Sequence, residues 1–205
     1  MIEFISQNSE ALQVFINSIM VVVWVAYLQI FLVSFRRQQR SEILINIGGG
    51  SGLKARCFVS NLSLEPLYLH DVMVELTTND ATHEAVITDR SEMNQEKLTS
   101  PSGGTNQGPL KSGDYVDIGS FNEIMERASP KLESVEFDKI THIQITAFAK
   151  ASSSPQIVGA KRKYRLQKSN GQAEMIPLQI TTEQIRSWWG RWKLRRRMNQ
   201  GLEAR

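Results

Sequence analysis

Few residues in this chain have side chains suited to catalysis or metal binding, and their spacing keeps them apart. Histidine occurs three times, at His70, His83 and His142, and cysteine once, at Cys57. A metal centre or an acid–base pair needs such groups to converge, and no two histidines stand at ligand spacing. His70 and Asp71 are neighbours on a predicted strand, where successive side chains point to opposite faces. Cys57 lies in an alternating apolar run, a setting for a buried structural thiol; a nucleophile needs an electropositive, partly exposed one. A lone cysteine also excludes an intrachain disulfide, in keeping with a reducing compartment. The run GGGSG at 48–52 lacks the Lys-Ser/Thr pair and following helix of a phosphate loop, and reads as a turn. The basic run at 161–165 sets Lys161, Lys163 and Arg165 on one face of a strand. That face is a candidate partner-binding surface for lipid headgroups, an acidic partner or nucleic acid, or else, as the commoner case, a solvated edge strand guarded by charge. No catalytic set, cofactor site or metal site emerges, and a non-enzymatic protein is expected.

The element that positions everything else is residues 11–35, which contain no charged side chain. At about 1.5 Å per residue such a helix crosses a hydrocarbon core of roughly 30 Å with some tilt. Glu3 and Glu10 precede it, while Arg36, Arg37, Arg40, Lys54 and Arg56 follow. The excess of Lys and Arg on the C-terminal side predicts an N-terminus outside and the bulk of the chain in the cytoplasm. A cleaved signal peptide would need a basic start and small residues at the cleavage site, where this chain has an acidic start and arginines. Gln13 and Asn17 share one helical face, and Trp24 falls near the middle of the run, three residues before Tyr27. Aromatic belts belong at the interfaces, so this placement predicts a protein-facing surface on the span.

Charge is distributed unevenly along the rest. Residues 43–180 hold 14 Lys and Arg against 16 Asp and Glu, whereas residues 181–205 hold 7 against 2. The basic character therefore belongs to the flanks and marks a membrane side; nucleic acid is not an expected partner.

Between the flanks, turn signals separate short alternating runs. Residues 43–47 and 53–61 read as a hairpin about the glycine turn, with Ala55, Cys57 and Val59 on one face. Further strands are expected at 67–77, 84–89, 115–121, 140–150, 156–167 and 173–180, with two helical turns at 121–128. Residues 90–111 are rich in Ser, Gly, Asn and Pro and read as a mobile loop. The pattern predicts a mainly β fold, an antiparallel β-sandwich of immunoglobulin-like topology, with a small barrel as the alternative.

At the C-terminus, Thr181 and Gln184 have capping-box spacing and predict a helix over 181–199. Ile185, Trp188, Trp189 and Trp192 then recur at helical spacing, while Arg195, Arg196 and Arg197 crowd its end. Together with Arg36, Arg37 and Arg40, this composition predicts contact with the anionic headgroups of the inner leaflet. The alternative is a helix that packs its tryptophans on the sandwich.

The organisation expected is a short outer tail (1–10), a transmembrane helix (11–35), a basic linker (36–42), a β-sandwich (43–180), a basic amphipathic helix (181–199) and a tail (200–205). The expected setting is a bacterial inner (plasma) membrane. Expected partners are anionic membrane lipid and membrane protein, in a binding or scaffold role as an accessory subunit. A tethered sensor binding a small ligand or headgroup is the alternative.

Overall fold

The computed structural model describes residues 9–38, 40–87, 105–128, 137–151, 157–169 and 172–203. The chain divides into two compact units, Met1–Arg40 and Ser41–Arg205.

In the first unit a helix, α1, spans Ser9–Gln38. Its stretch Glu10–Arg36 is long and apolar enough to cross a membrane, and none of it is buried by the rest of the chain. Ser18 returns its hydroxyl to Val14 O at 2.7 Å, which removes one polar group from the surface of the span.

The second unit is an antiparallel β-sandwich. In chain order its strands are β1 (Ile43–Gly48), β2 (Arg56–Asn61), β3 (Leu67–Thr77), β4 (Thr82–Val86), β5 (Gly108–Leu110), β6 (Tyr115–Ser120), β7 (His142–Ala151), β8 (Ile157–Ser169), β9 (Gln172–Pro177) and β10 (Glu183–Ile185). Helix α2 (Phe121–Ala128) follows β6, and α3 (Trp188–Glu203) ends the described chain. One sheet has the order β1-β2-β6; the other runs β10-β8-β7-β3-β4, with β5 also on β3 and β9 on β8. The order β1-β2-β6 corresponds to A-B-E and β8-β7-β3-β4 to G-F-C-C′ in immunoglobulin lettering, with β10 added beyond β8. It is the sandwich expected, and the small barrel is set aside.

Alternation builds the core. Ile43, Ile45, Cys57 and Val59 of the first sheet and Val72, Val74, Leu76, Ile143, Ile145 and Ala147 of the second are all buried in one cluster. The β1–β2 turn depends on glycine: Gly52 has φ +62°, and a Cβ there would lie 2.5 Å from Ala173 O. Helix α2 starts on a capping box, with Ser120 N–H donating to Glu123 Oε2 (2.7 Å) and Glu123 N–H to Ser120 Oγ (3.3 Å). Residues 108–110, expected in a loop, form β5 against β3. The rest of that loop through residue 104, and residues 152–156 and 170–171, lie outside the described residues.

The expected helix start at Thr181 is corrected. Residues 183–185 instead form β10, paired with β8, and α3 begins only at Trp188 and continues to Glu203. The neighbouring polar side chains serve β1. The Gln184 amide accepts from Ile43 N (3.1 Å) and donates to Ile43 O (2.6 Å), while the Thr182 hydroxyl accepts from Ile45 N (2.9 Å) and donates to Ile45 O (3.2 Å). Arg162, buried in the core, also donates to Ile45 O (2.6 Å). Side chains thus satisfy backbone groups on the free edge of β1, which an ordinary ladder would otherwise have to reach.

Candidate functional site

The outer face of the larger sheet is built by the odd phase of β3 beyond its bulge between Leu69 and Asp71 and by the even phase of β7. Met73 and Glu75, Gln144, Thr146 and Phe148, and Gly159 and Lys161 of β8 occupy adjacent register positions across it. Helix α3 lies on this face. Leu194, only 4% exposed, packs with Met73 and Phe148, beside Val86, Ile157 and Ile185. Gly159 makes room for it, since a Cβ there would come within 2.4 Å of Leu194 Cδ2. Further along, Arg197 pairs with Glu75 (2.9 Å) and Glu84 (3.3 Å), which stand directly opposite each other on β3 and β4. Burial and the hydrogen bond with Glu75 push the Glu84 carboxyl up, and Arg197 opposes this.

Arg197 therefore departs from the expected membrane-facing set: it is an inward clasp between helix and sheet. Ile185 departs from the expected apolar helix face, being part of β10. Trp188, Trp189 and Trp192 turn outward at 69%, 71% and 50% exposure, so they do not pack on the sandwich. Trp188 and Trp189 meet edge to face with centroids 4.7 Å apart, and Arg196 lies 5.8 Å over the Trp192 ring. Arg195 and Arg196 are exposed on the same helix. In α1, Gln13, Asn17, Trp24 and Tyr27 are all exposed; Arg36 and Arg37 lie in its last turn and Arg40 just beyond it.

Lys161, Lys163 and Arg165 do share one face of β8. They are not equivalent, because Lys161 is paired with Glu183 (3.1 Å) beneath α3. Lys163 and Arg165 flank His142, whose pKa is lowered by burial first and by these two cations second. Between α3 and the sheet lies a cleft of about 490 Å³, lined by Glu75, Gln144, Thr146, Lys161, Lys193 and Arg197, among others. Thr146 is buried, and its hydroxyl has no hydrogen-bond partner among the described residues. Cys57 is fully buried and burial pushes its thiol up to about 12, the opposite of a nucleophile's environment. Among the described residues, no group of three or more His, Cys, Asp or Glu is placed to hold a metal ion.

The docking residues Glu75, Glu84 and Leu194 escaped the sequence reading because their roles depend on which strands become neighbours. Comparison with known proteins gives no match: no protein-family model, curated protein or solved structure matches the chain.

Proposed function

We propose that this chain is a single-pass, membrane-anchored binding protein, a non-enzymatic accessory or scaffold subunit of a larger membrane complex. In this reading α1 spans a bacterial inner membrane with its N-terminus outside and the β-sandwich in the cytoplasm. One observation carries it: α3 is held to the sheet by Leu194 and Arg197 and turns three tryptophans outward. Monomeric soluble domains rarely leave so much aromatic surface uncovered unless a partner or a lipid interface receives it. The exposed arginines beside the tryptophans suit anionic headgroups, and Gln13, Asn17, Trp24 and Tyr27 supply a second contact surface within the span. The test is crosslinking in cells followed by purification in mild detergent, with the wild type against a Trp188→Ala/Trp189→Ala/Trp192→Ala variant. A specific membrane protein recovered with the wild type and depleted with the variant is the expected outcome. Recovery of the chain alone in both cases refutes the scaffold reading.

The cleft under α3, whose Thr146 hydroxyl has no partner among the described residues and whose lining includes Lys193 and the Glu183-paired Lys161, favours a second reading as a tethered sensor for a small anion-bearing ligand. That reading expects glycerol phosphate or an inositol phosphate to raise the melting temperature of the full chain. No rise across such a panel counts against it.

A further inference from the structure

We propose that the end of the sandwich at which the chain enters the domain is a lipid-contacting face, where the loop at 62–66 and the start of α3 present Leu62, Leu64, Trp188 and Trp189 to the bilayer interface. The proposal rests on the reading of α1 as a membrane anchor.

Register brings these residues to one end. β1 begins at Ile43, opposite Asn61 at the end of β2, and Leu62 N–H donates to Glu42 O at 2.9 Å. β6 begins at Tyr115 beside Ser60, and Asn61 N–H bonds Asp114 O at 2.9 Å. Gln184 brackets Ile43 from the other side, β10 ends at the next residue, Ile185, and α3 starts at Trp188 after two connecting residues. The ends of β2 and β10, the starts of β1 and β6 and the start of α3 therefore converge.

The loop at this end inverts the usual preference for burial. Asn61 and Ser63 are buried at 0% and 3% exposure, while Leu62 and Leu64 stand at 51% and 69%. This is not slackness. Asn61 Nδ2 donates to Glu65 O (2.8 Å), Leu110 O (3.0 Å) and Lys111 O (3.2 Å), Ser63 N–H donates to Asn61 Oδ1 (2.9 Å), and Ser63 Oγ reaches both Asn61 Oδ1 and Glu65 O. A polar knot inside the loop thus forces two leucines out of it. A buried polar group beneath an exposed apolar pair is the informative departure, since scattered exposed leucines are ordinary. Among the described residues, the turns at the opposite end, 48–52 (GGGSG) and 78–81 (TNDA), carry no exposed large apolar side chain.

Chain length selects lipid as the occupant. α1 ends at Gln38, so Glu42 lies four residues on, at most about 14 Å of fully extended chain. With α1 as the anchor, a loop bonded to Glu42 is tied to the membrane surface by that short tether, and Trp and Leu are the side chains that settle at that depth.

The test uses the full chain in vesicles of phosphatidylethanolamine and phosphatidylglycerol. An environment-sensitive fluorophore is placed on a single new cysteine in a Leu64→Cys or Leu62→Cys variant, with Asp80→Cys, in the far turn, as control. Cys57 stays in place, since burial and its raised pKa keep it unlabelled. With nitroxide-bearing lipids the Leu64 and Leu62 probes are expected to lose most of their emission and to be blue-shifted relative to detergent, while the Asp80 probe keeps its emission. If the protein resists alkaline extraction yet the leucine probes behave like the Asp80 probe, the lipid face is refuted and a protein partner must cover it. If alkaline treatment extracts the protein, the anchor reading fails and this proposal falls with it.

Discussion

Arg197→Gln is the sharpest perturbation of the contact between α3 and the sheet. Arg197 is the counter-ion for two carboxylates that oppose each other across β3 and β4, at 2.9 Å from Glu75 and 3.3 Å from Glu84. At an effective dielectric near 20, charges roughly 4 Å apart attract by about 4 kcal/mol before desolvation. Much of that is offset, because the Arg197 and Glu84 side chains are 29% and 37% exposed and so remain screened. A net loss of about 1–2 kcal/mol follows, most of it the cost of leaving Glu75, at 11% exposure, facing a like charge. For a domain of this size that is a fall in Tm of roughly 3–7 °C. The sign with pH is fixed by Glu84. Its folded pKa lies above its unfolded value of 4.5, so the folded state holds the proton more tightly and stability falls as pH rises through and above that value. Arg197 opposes this shift, so its removal steepens the fall: the deficit is larger at pH 7 than at pH 5. Thermal melts of the full chain in mild detergent, followed by tryptophan emission and circular dichroism from pH 5 to 8, read both effects. Adding Glu75→Gln removes one of the opposed charges and is expected to restore more than half of the loss. A double variant no more stable than Arg197→Gln alone would refute the triad as the clasp.

Three further outcomes are expected. Asn61→Ala strips three carbonyls and an N–H of their buried partner and is expected to lower stability by about 2–4 kcal/mol, measured as a Tm fall of roughly 5–15 °C. Thr182→Val keeps the shape but removes the hydroxyl that meets Ile45 N and O. The unpaired Ile45 N–H costs about 1–3 kcal/mol and speeds hydrogen exchange at that amide, while the Ile157–Gly159 amides of β8 serve as an internal reference. His142 has a folded pKa below its unfolded value of 6.5, so the unfolded state takes up the proton first and stability falls as pH drops through that value. His142→Gln is expected to flatten the stability profile between pH 7 and pH 5.

Local signals reported faithfully where local physics decided. β3 occupies residues 67–77 as its alternation predicts, and α2 occupies 121–128, where Ser120 and Glu123 cap its start. The C-terminal helix began late because Thr181 and Gln184 match a capping box, yet Gln184 has a stronger use in bonding Ile43, 141 residues away in sequence. No window of sequence shows that contact. The leucine inversion was partly visible: the buried phase of β2, Cys57 and Val59, continues through Asn61 and Ser63, so the phase persists while the polarity flips. The clasp of Arg197 was hidden for a different reason. Glu75 and Glu84 read as ordinary surface positions until β3 and β4 pair and a helix crosses them.

The side chains that line the free edge of β1 also bear on mechanical load. β1 is the first strand after α1, so any pull transmitted along the chain from α1 arrives at Ile43 before any other strand. An antiparallel strand pulled from its end would peel from β2 one pair at a time, beginning at Ile43↔Asn61. The Gln184 amide grips both backbone groups of that first residue, and Thr182 with Arg162 grips the next buried one. The first step of peeling must therefore break bonds on both edges of the strand at once, and the strand that takes the strain is fastened to both sheets.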